Sequence, residues 1–134
     1  MTGEKCLPRC IGIAIVEDEK ALIDIYRRVF ARNNIAICFV AFDGREAVEK
    51  FLGCVPKPRV ILMDYRLPTM NGIDATREIL KIDPDARIIF LSADIAAQQE
   101  ALRAGAKEFL KKPASLKDIL QAVRKHLANG QVVA

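Results

Sequence analysis

Five short apolar runs alternate with five stretches whose apolar residues recur at helical spacing. This alternation limits the fold more than any other property of the chain. IGIAIV (11–16), Ile35 to Phe42, residues 59–63, RIIFL (87–91) and KEFL (107–110) read as strands. Consecutive apolar residues, rather than alternating ones, suit strands covered on both faces. Helices are expected over 20–33, over 45–52, from Gly72 to the stop at Asp83-Pro84, over 95–104, and from a Ser115 cap to Asn129-Gly130. Leu22, Ile25, Tyr26, Val29 and Phe30 form the apolar stripe of the first, and Leu116, Ile119, Leu120, Val123 and Leu127 that of the last. Asp43-Gly44 reads as the turn closing the second strand, and Gly105 as a helix C-cap.

Strict alternation of strand and helix calls for a parallel sheet with helices on both sides. Right-handed crossovers then favour a doubly wound, flavodoxin-like α/β sandwich of five strands and five helices, in strand order 2-1-3-4-5. The ligand crevice of such a sheet lies where the order reverses, between strands one and three.

With 134 residues and 51% hydrophobic content, the chain is expected to hold one folded domain with a real core. Residues 10–128 form that domain, with 1–9 and 129–134 as tails. No apolar stretch approaches a membrane span, and MTGEKCLPRC lacks the apolar core of a signal peptide. A soluble, cytoplasmic protein is therefore expected. The 21 basic and 17 acidic residues leave a net charge of +4, better explained by an ordinary solvated surface than by nucleic-acid affinity. Cys6, Cys10, Cys38 and Cys54 lack the spacing and the histidines of a zinc site. Free thiols are expected, with a Cys6–Cys10 disulfide as the alternative and Cys38 as a small buried hydrophobe.

The stretch VILMDYRLPTMNG (60–72) runs from apolar residues directly into Asp64. A charge at the end of a buried strand is costly unless it is compensated. The other strand ends are polar too. Glu17 and Asp18 follow strand one, Ser92 follows strand four, and Lys111, Lys112 and Pro113 follow strand five. In the expected strand order, Glu17, Asp18 and Asp64 converge at one edge of the sheet. Three clustered carboxylates would repel, and an all-oxygen set of this kind suits Mg²⁺ rather than zinc or a calcium loop. A carboxylate so placed can accept a phosphoryl group when a metal, a lysine and a hydroxyl neutralise the transferring oxygens.

VED, DYRLPTMNG, FLSA and KKP, in that order and each after an apolar strand, resemble the receiver domain of two-component response regulators over residues 10 to 128. The resemblance implies that Asp64 is the phosphoacceptor and that Glu17 and Asp18 organise Mg²⁺, with the backbone carbonyl of Arg66 as a further ligand. It implies that Ser92 follows the phosphoryl group, that Lys112 contacts it, and that the Lys112–Pro113 bond is cis. Phe109 matches the aromatic switch position, where relatives often carry tyrosine, so switching must rest on packing. Glu17 stands where aspartate is commoner, and its longer arm is expected to reach the metal through water. Arg66 and Asp94 match positions that line the path of the attacking water. They are expected to pair across the mouth of the site and lengthen the phosphoryl lifetime.

The implied function is a Mg²⁺-dependent switch, phosphorylated by a histidine kinase or phosphotransfer protein and itself not an enzyme with a separate substrate. A downstream protein is expected on the face of helix four, strand five and helix five, where Arg103, Lys107, Lys111 and Lys117 favour an acidic surface. Phosphorylation-dependent dimerisation remains open. NGQVVA after the last helix leaves no room for a DNA-binding module, so direct DNA binding is not expected. A phosphatase would need a second acid where Arg66 stands. An unphosphorylated docking module would not need Asp64, Asp18, Ser92 and Lys112 together. A nucleotide binder would need a Gly-rich loop after strand one. His126 is expected at the surface or rim, without a catalytic partner.

Overall fold

The computed structural model describes residues 10–129. Its elements follow the order β1 (Cys10–Val16), α1 (Lys20–Arg32), β2 (Ile37–Ala41), α2 (Gly44–Gly53), β3 (Pro58–Asp64), α3 (Gly72–Ile82), β4 (Arg87–Ser92), α4 (Ala97–Ala104), β5 (Glu108–Lys111) and α5 (Leu116–Asn129). The five strands form one sheet in the order β2-β1-β3-β4-β5, with every pairing parallel.

Residue parity along each central strand divides the interior into two cores. Ala14 and Val16, Ile61 and Met63, and Ile88 and Phe90 face α2, α3 and α4, meeting Phe51, Ile73, Ile79 and Ala101. Ile13 and Ile15, Val60 and Leu62, and Ile89 and Leu91 face α1 and α5, meeting Ile23, Tyr26, Phe30, Ile119 and Val123. Successive strand residues point to opposite faces, so only strands apolar at both parities can supply two cores. That explains the unbroken apolar runs of the sequence.

Local chemistry sets the element boundaries. β2 is shorter than the expected 35–42. At its start, Asn34 adopts a positive φ of 59° and the Ile35 amide still bonds to the Phe30 carbonyl of α1. At its end, the Phe42 amide donates to the Glu46 carboxylate, and Asp43 caps α2 by accepting from the Glu46 amide. Asp43 lies in the bend that follows β2, as expected, and also caps α2 in a variant of the capping box. α4 starts at Ala97 instead of 95, because the Asp94 side chain accepts from the Ala96 amide and holds a turn there. Gly105 ends α4 at φ 114°, a conformation that a side chain resists. Ser115 caps α5 through the Asp118 amide.

Two expectations fail. Cys38 is half-buried and disulfide-bonded rather than a free buried thiol. Cys54 is a free thiol. The alternative Cys6–Cys10 bridge falls on residues outside the described side chains. His126 is 3% exposed, not superficial. The residues at 119, 122, 123 and 126 form one buried face of α5, so the ring points at the sheet. No helix among the described residues is long and apolar enough to cross a membrane.

Candidate functional site

The parallel strands all end at the same edge, and there the polar residues meet. Asp64 is the last residue of β3 and pairs in register with Leu91 of β4. Behind it, the Tyr65 amide donates to the Leu91 carbonyl, and the Gly72 amide donates to the Tyr65 carbonyl. These bonds fold the loop back so that α3 starts directly beneath the strand end. A Cβ at Gly72 would run into the Asp64 carbonyl oxygen, so this position excludes a side chain. Asn71 caps α3 by accepting from the Asp74 amide.

Glu17 and Asp18 follow β1, the neighbour of β3. One carboxylate oxygen each from Glu17, Asp18 and Asp64 lies within 4.8 Å of the others. Glu17 is 5% exposed and Asp64 7%, whereas Asp18 faces solvent. Glu17 also accepts from the Glu19 amide at 3.1 Å, so its carboxylate serves the start of α1 as well. Lys112 follows β5 and reaches across the strand ends. Its Nζ stands 2.6 Å from Asp64 Oδ1 and 3.8 Å from Glu17 Oε1. Lys111, one residue earlier, is exposed on the other side of the strand. The Lys112–Pro113 peptide is cis, as is Val55–Pro56.

Burial dominates the electrostatics. It pushes the Glu17 carboxyl from its usual 4.5 up to about 7, with the Asp64 charge adding to the rise. Burial also raises the Asp64 carboxyl, although the Lys112 hydrogen bond and charge pull against it. For Lys112, burial acts to lower the ammonium, but the bond to Asp64 and the charges of Asp64, Glu17 and Glu19 outweigh it and raise it. The pair therefore holds a buried anion against a retained cation. The remaining carboxylates repel one another and fit a hard divalent cation, which would remove that repulsion.

Ser92, 3% exposed, ends β4 and accepts from the Asp94 amide at 3.0 Å through its hydroxyl oxygen. Its carbonyl receives the Lys112 amide, tying the β4 and β5 ends together. Phe109 is half-buried on β5 and stacks on Phe90, with ring centroids 6.4 Å apart. Tyr65 packs on the same Phe90 ring. Arg66 is exposed in the loop after β3. Arg66 and Asp94 do not pair across the mouth, contrary to expectation. The Asp94 carboxylate is taken by the Ala96 amide of the following turn.

One neighbour of the site was not evident from sequence. A cavity of about 420 Å³ opens beside Lys112, lined by Tyr26, Leu22, Pro113, Leu116 and Ile119, with Glu19 at its edge. Burial and the Glu17 and Asp64 charges push the Tyr26 phenol up, so it stays neutral beside the carboxylates. Its helical spacing signalled packing alone, and nothing in the stripe separated it from its aliphatic neighbours.

Comparison with known proteins agrees with this geometry. The model of the response regulator receiver domain matches residues 13–124. Chemotaxis protein CheY of Thermotoga maritima is 39% identical over 115 residues, covering 84% of this chain and 94% of its own. A chain of the CheX–CheY–BeF3–Mg complex from Borrelia burgdorferi superposes with a TM-score of 0.79 at 28% identity, covering 93% of each chain. The receiver domain of sensor histidine kinase PA1611 from Pseudomonas aeruginosa, with magnesium in its active-site cleft, gives a TM-score of 0.77 at 26% identity, covering 87% of this chain and 97% of its own. The chain belongs to the response regulator receiver domain family.

Proposed function

We propose that Asp64 accepts a phosphoryl group from the phosphohistidine of a histidine kinase or phosphotransfer protein, and that the change alters binding to a downstream protein. The observation that carries this reading is the 2.6 Å contact of Lys112 Nζ with a buried Asp64 inside a cluster of carboxylates. An Asp64 oxygen attacks phosphorus, the N–P bond of the donor breaks, and its electron pair leaves with the imidazole. Lys112 follows the negative charge from the carboxylate onto the phosphoryl oxygens. Ser92 uses its oxygen to accept from Asp94, which leaves its own proton free to donate to a phosphoryl oxygen. The protein acts only on itself in this step and in the later hydrolysis, in which water takes the phosphoryl group as inorganic phosphate and Asp64 regains its carboxylate.

Glu17, Asp18 and Asp64 would hold Mg²⁺, with the Arg66 carbonyl as a further ligand. When bound, the cation supplies charge neutralisation for the phosphoryl oxygens. The magnesium in the Pseudomonas receiver and in the Borrelia complex supports this choice. Arg66, exposed in the loop after β3, and Asp94, whose carboxylate holds the turn before α4, set the phosphoryl lifetime separately rather than as a pair. Ser92 and Phe109 report the change, Phe109 by repacking against Phe90.

The downstream partner is an acidic protein surface on the face of α4, β5 and α5, in the cytoplasm, and a phosphorylation-dependent dimer would use the same face. Arg103, Lys107, Lys111 and Lys117 are all exposed there. Charge is also unequal between the helix layers. α1 carries four bases against one acid, and α5 three against one, whereas α2, α3 and α4 each balance. A partner that reaches α5 therefore meets positive charge, and its affinity should fall as salt rises. Incubation with a small acyl phosphate tests the reading. Wild type should gain one phosphoryl group only when Mg²⁺ is present, and phosphorylation independent of the metal would refute the assigned site.

A further inference from the structure

A second cluster of ionisable groups lies outside the phosphorylation site and plays no part in it. His126 sits in the last turns of α5, 3% exposed, against the first residues of β4 and β5. Arg87 Nε of β4 donates to its Nδ1 at 3.1 Å. Its Nε2 stands 2.7 Å from Glu108 Oε1 of β5. Lys125, next to it on α5, reaches the same Glu108 oxygen at 3.4 Å. Arg124 is turned the other way, donating to Asn33 at the end of α1. The charged groups facing the ring are thus Arg87 from β4, Glu108 from β5 and Lys125 from its own helix.

These contacts determine where the ring protons lie. A guanidinium can only donate, so Nδ1 must present its lone pair to Arg87. The proton of the neutral ring is then on Nε2 and points at Glu108. Burial works against the Glu108 charge, but the His126 bond and Lys125 hold its carboxyl below the usual range, so the acceptor is a carboxylate. With a neutral ring, both nitrogens are satisfied and α5 is fastened to both strands.

We propose that Arg87, His126 and Glu108 form an acid-sensitive clamp that holds the end of α5 against β4 and β5. A further proton has one place to go, Nδ1. There it meets the Arg87 N–H, and an acceptor becomes a donor facing a donor. The ring also becomes a second cation beside the guanidinium in a space almost closed to water. Arg87 must then swing away, and α5 keeps its tie to β5 through Glu108 while losing its tie to β4. Acid therefore loosens the far end of a helix on the proposed partner face, independently of the state of Asp64.

The chain has a single histidine, so its ring nitrogens give unambiguous ¹⁵N NMR signals. At pH 8 the spectrum should show a bare Nδ1 and a protonated Nε2. As the pH is lowered from 8 and the ring takes a second proton, amide hydrogen-exchange protection over residues 120–128 should fall about tenfold, the loss expected for one released hydrogen bond. His126→Gln keeps an acceptor for Arg87 and a donor for Glu108 but does not titrate, so its protection factors should stay constant over that range. A protonated Nδ1 at pH 8, a folded protein whose ring never takes that proton, or unchanged protection once it does would each overturn the clamp. So would an equal loss in the glutamine variant. If that variant does not fold, the wild-type tautomer and protection data decide alone.

Discussion

Glu17 offers the sharpest quantitative handle on the phosphorylation site. Its carboxyl stands at about 7 in the folded, metal-free protein, against 4.5 when unperturbed, because it is buried beside Asp64. Below pH 4.5 it is protonated in the folded and unfolded chains alike. Between there and pH 7 the folded chain retains a proton that the unfolded chain has released, so stability falls as pH rises through this window. The shift corresponds to about 3 kcal/mol of destabilisation, fully present above pH 7. Glu17→Gln removes the charge and keeps an oxygen for the Glu19 amide. In EDTA at pH 8 the variant should be more stable than wild type by about 1–3 kcal/mol, a rise of roughly 3–10 °C in Tm. At pH 4.5 the advantage should vanish. With saturating Mg²⁺ at pH 8 the order should reverse, since wild type gains binding energy that the variant lacks. Thermal unfolding followed by circular dichroism under these three conditions is sufficient. An advantage of equal size at pH 4.5 and pH 8, or a variant less stable in EDTA at pH 8, would refute the burial argument.

Gly72→Ala should destabilise the fold by about 1–3 kcal/mol in urea unfolding, because its Cβ meets the Asp64 carbonyl oxygen; a neutral effect would mean that the loop yields freely. Lys112→Gln should slow phosphorylation by a small acyl phosphate at least about tenfold while the chain stays folded, because Asp64 loses its only ammonium contact among the described residues. Replacing both Arg66 and Asp94 with alanine should shorten the phosphoryl lifetime measured by phosphate release, and an unchanged lifetime would remove both from the mouth of the site.

The legible parts of the site share one property: each polar residue interrupts an apolar run at a strand end. Asp64, Ser92 and Lys112 could be placed that way because parallel strands bring all their ends to one edge. The acidic pair followed once the strand order put β1 beside β3. What stayed hidden depended on partners far along the chain. His126 meets Arg87 and Glu108, 39 and 18 residues earlier, and both belong to strand starts, where exposed charge is the ordinary expectation. Its spacing from Ile119 and Val123 was the available signal, and it placed the ring on the buried face. The disulfide of Cys38 was hidden because strand patterning describes burial and carries no information about pairing. The capping role of Asp43 and the turn held by Asp94 stayed hidden for one reason: a short acid can cap a helix, hold a turn or pair with a cation, and the choice depends on which group it reaches.

The central claim, that Asp64 carries the phosphoryl group, is tested most directly by locating it. Protein treated with a small acyl phosphate and Mg²⁺ would be reduced with borohydride, which converts an aspartyl phosphate to homoserine, and the peptides read by mass spectrometry. The account predicts homoserine at position 64 in wild type and none in Asp64→Asn. Homoserine at another aspartate in wild type, or equal labelling of a folded Asp64→Asn protein, would contradict it.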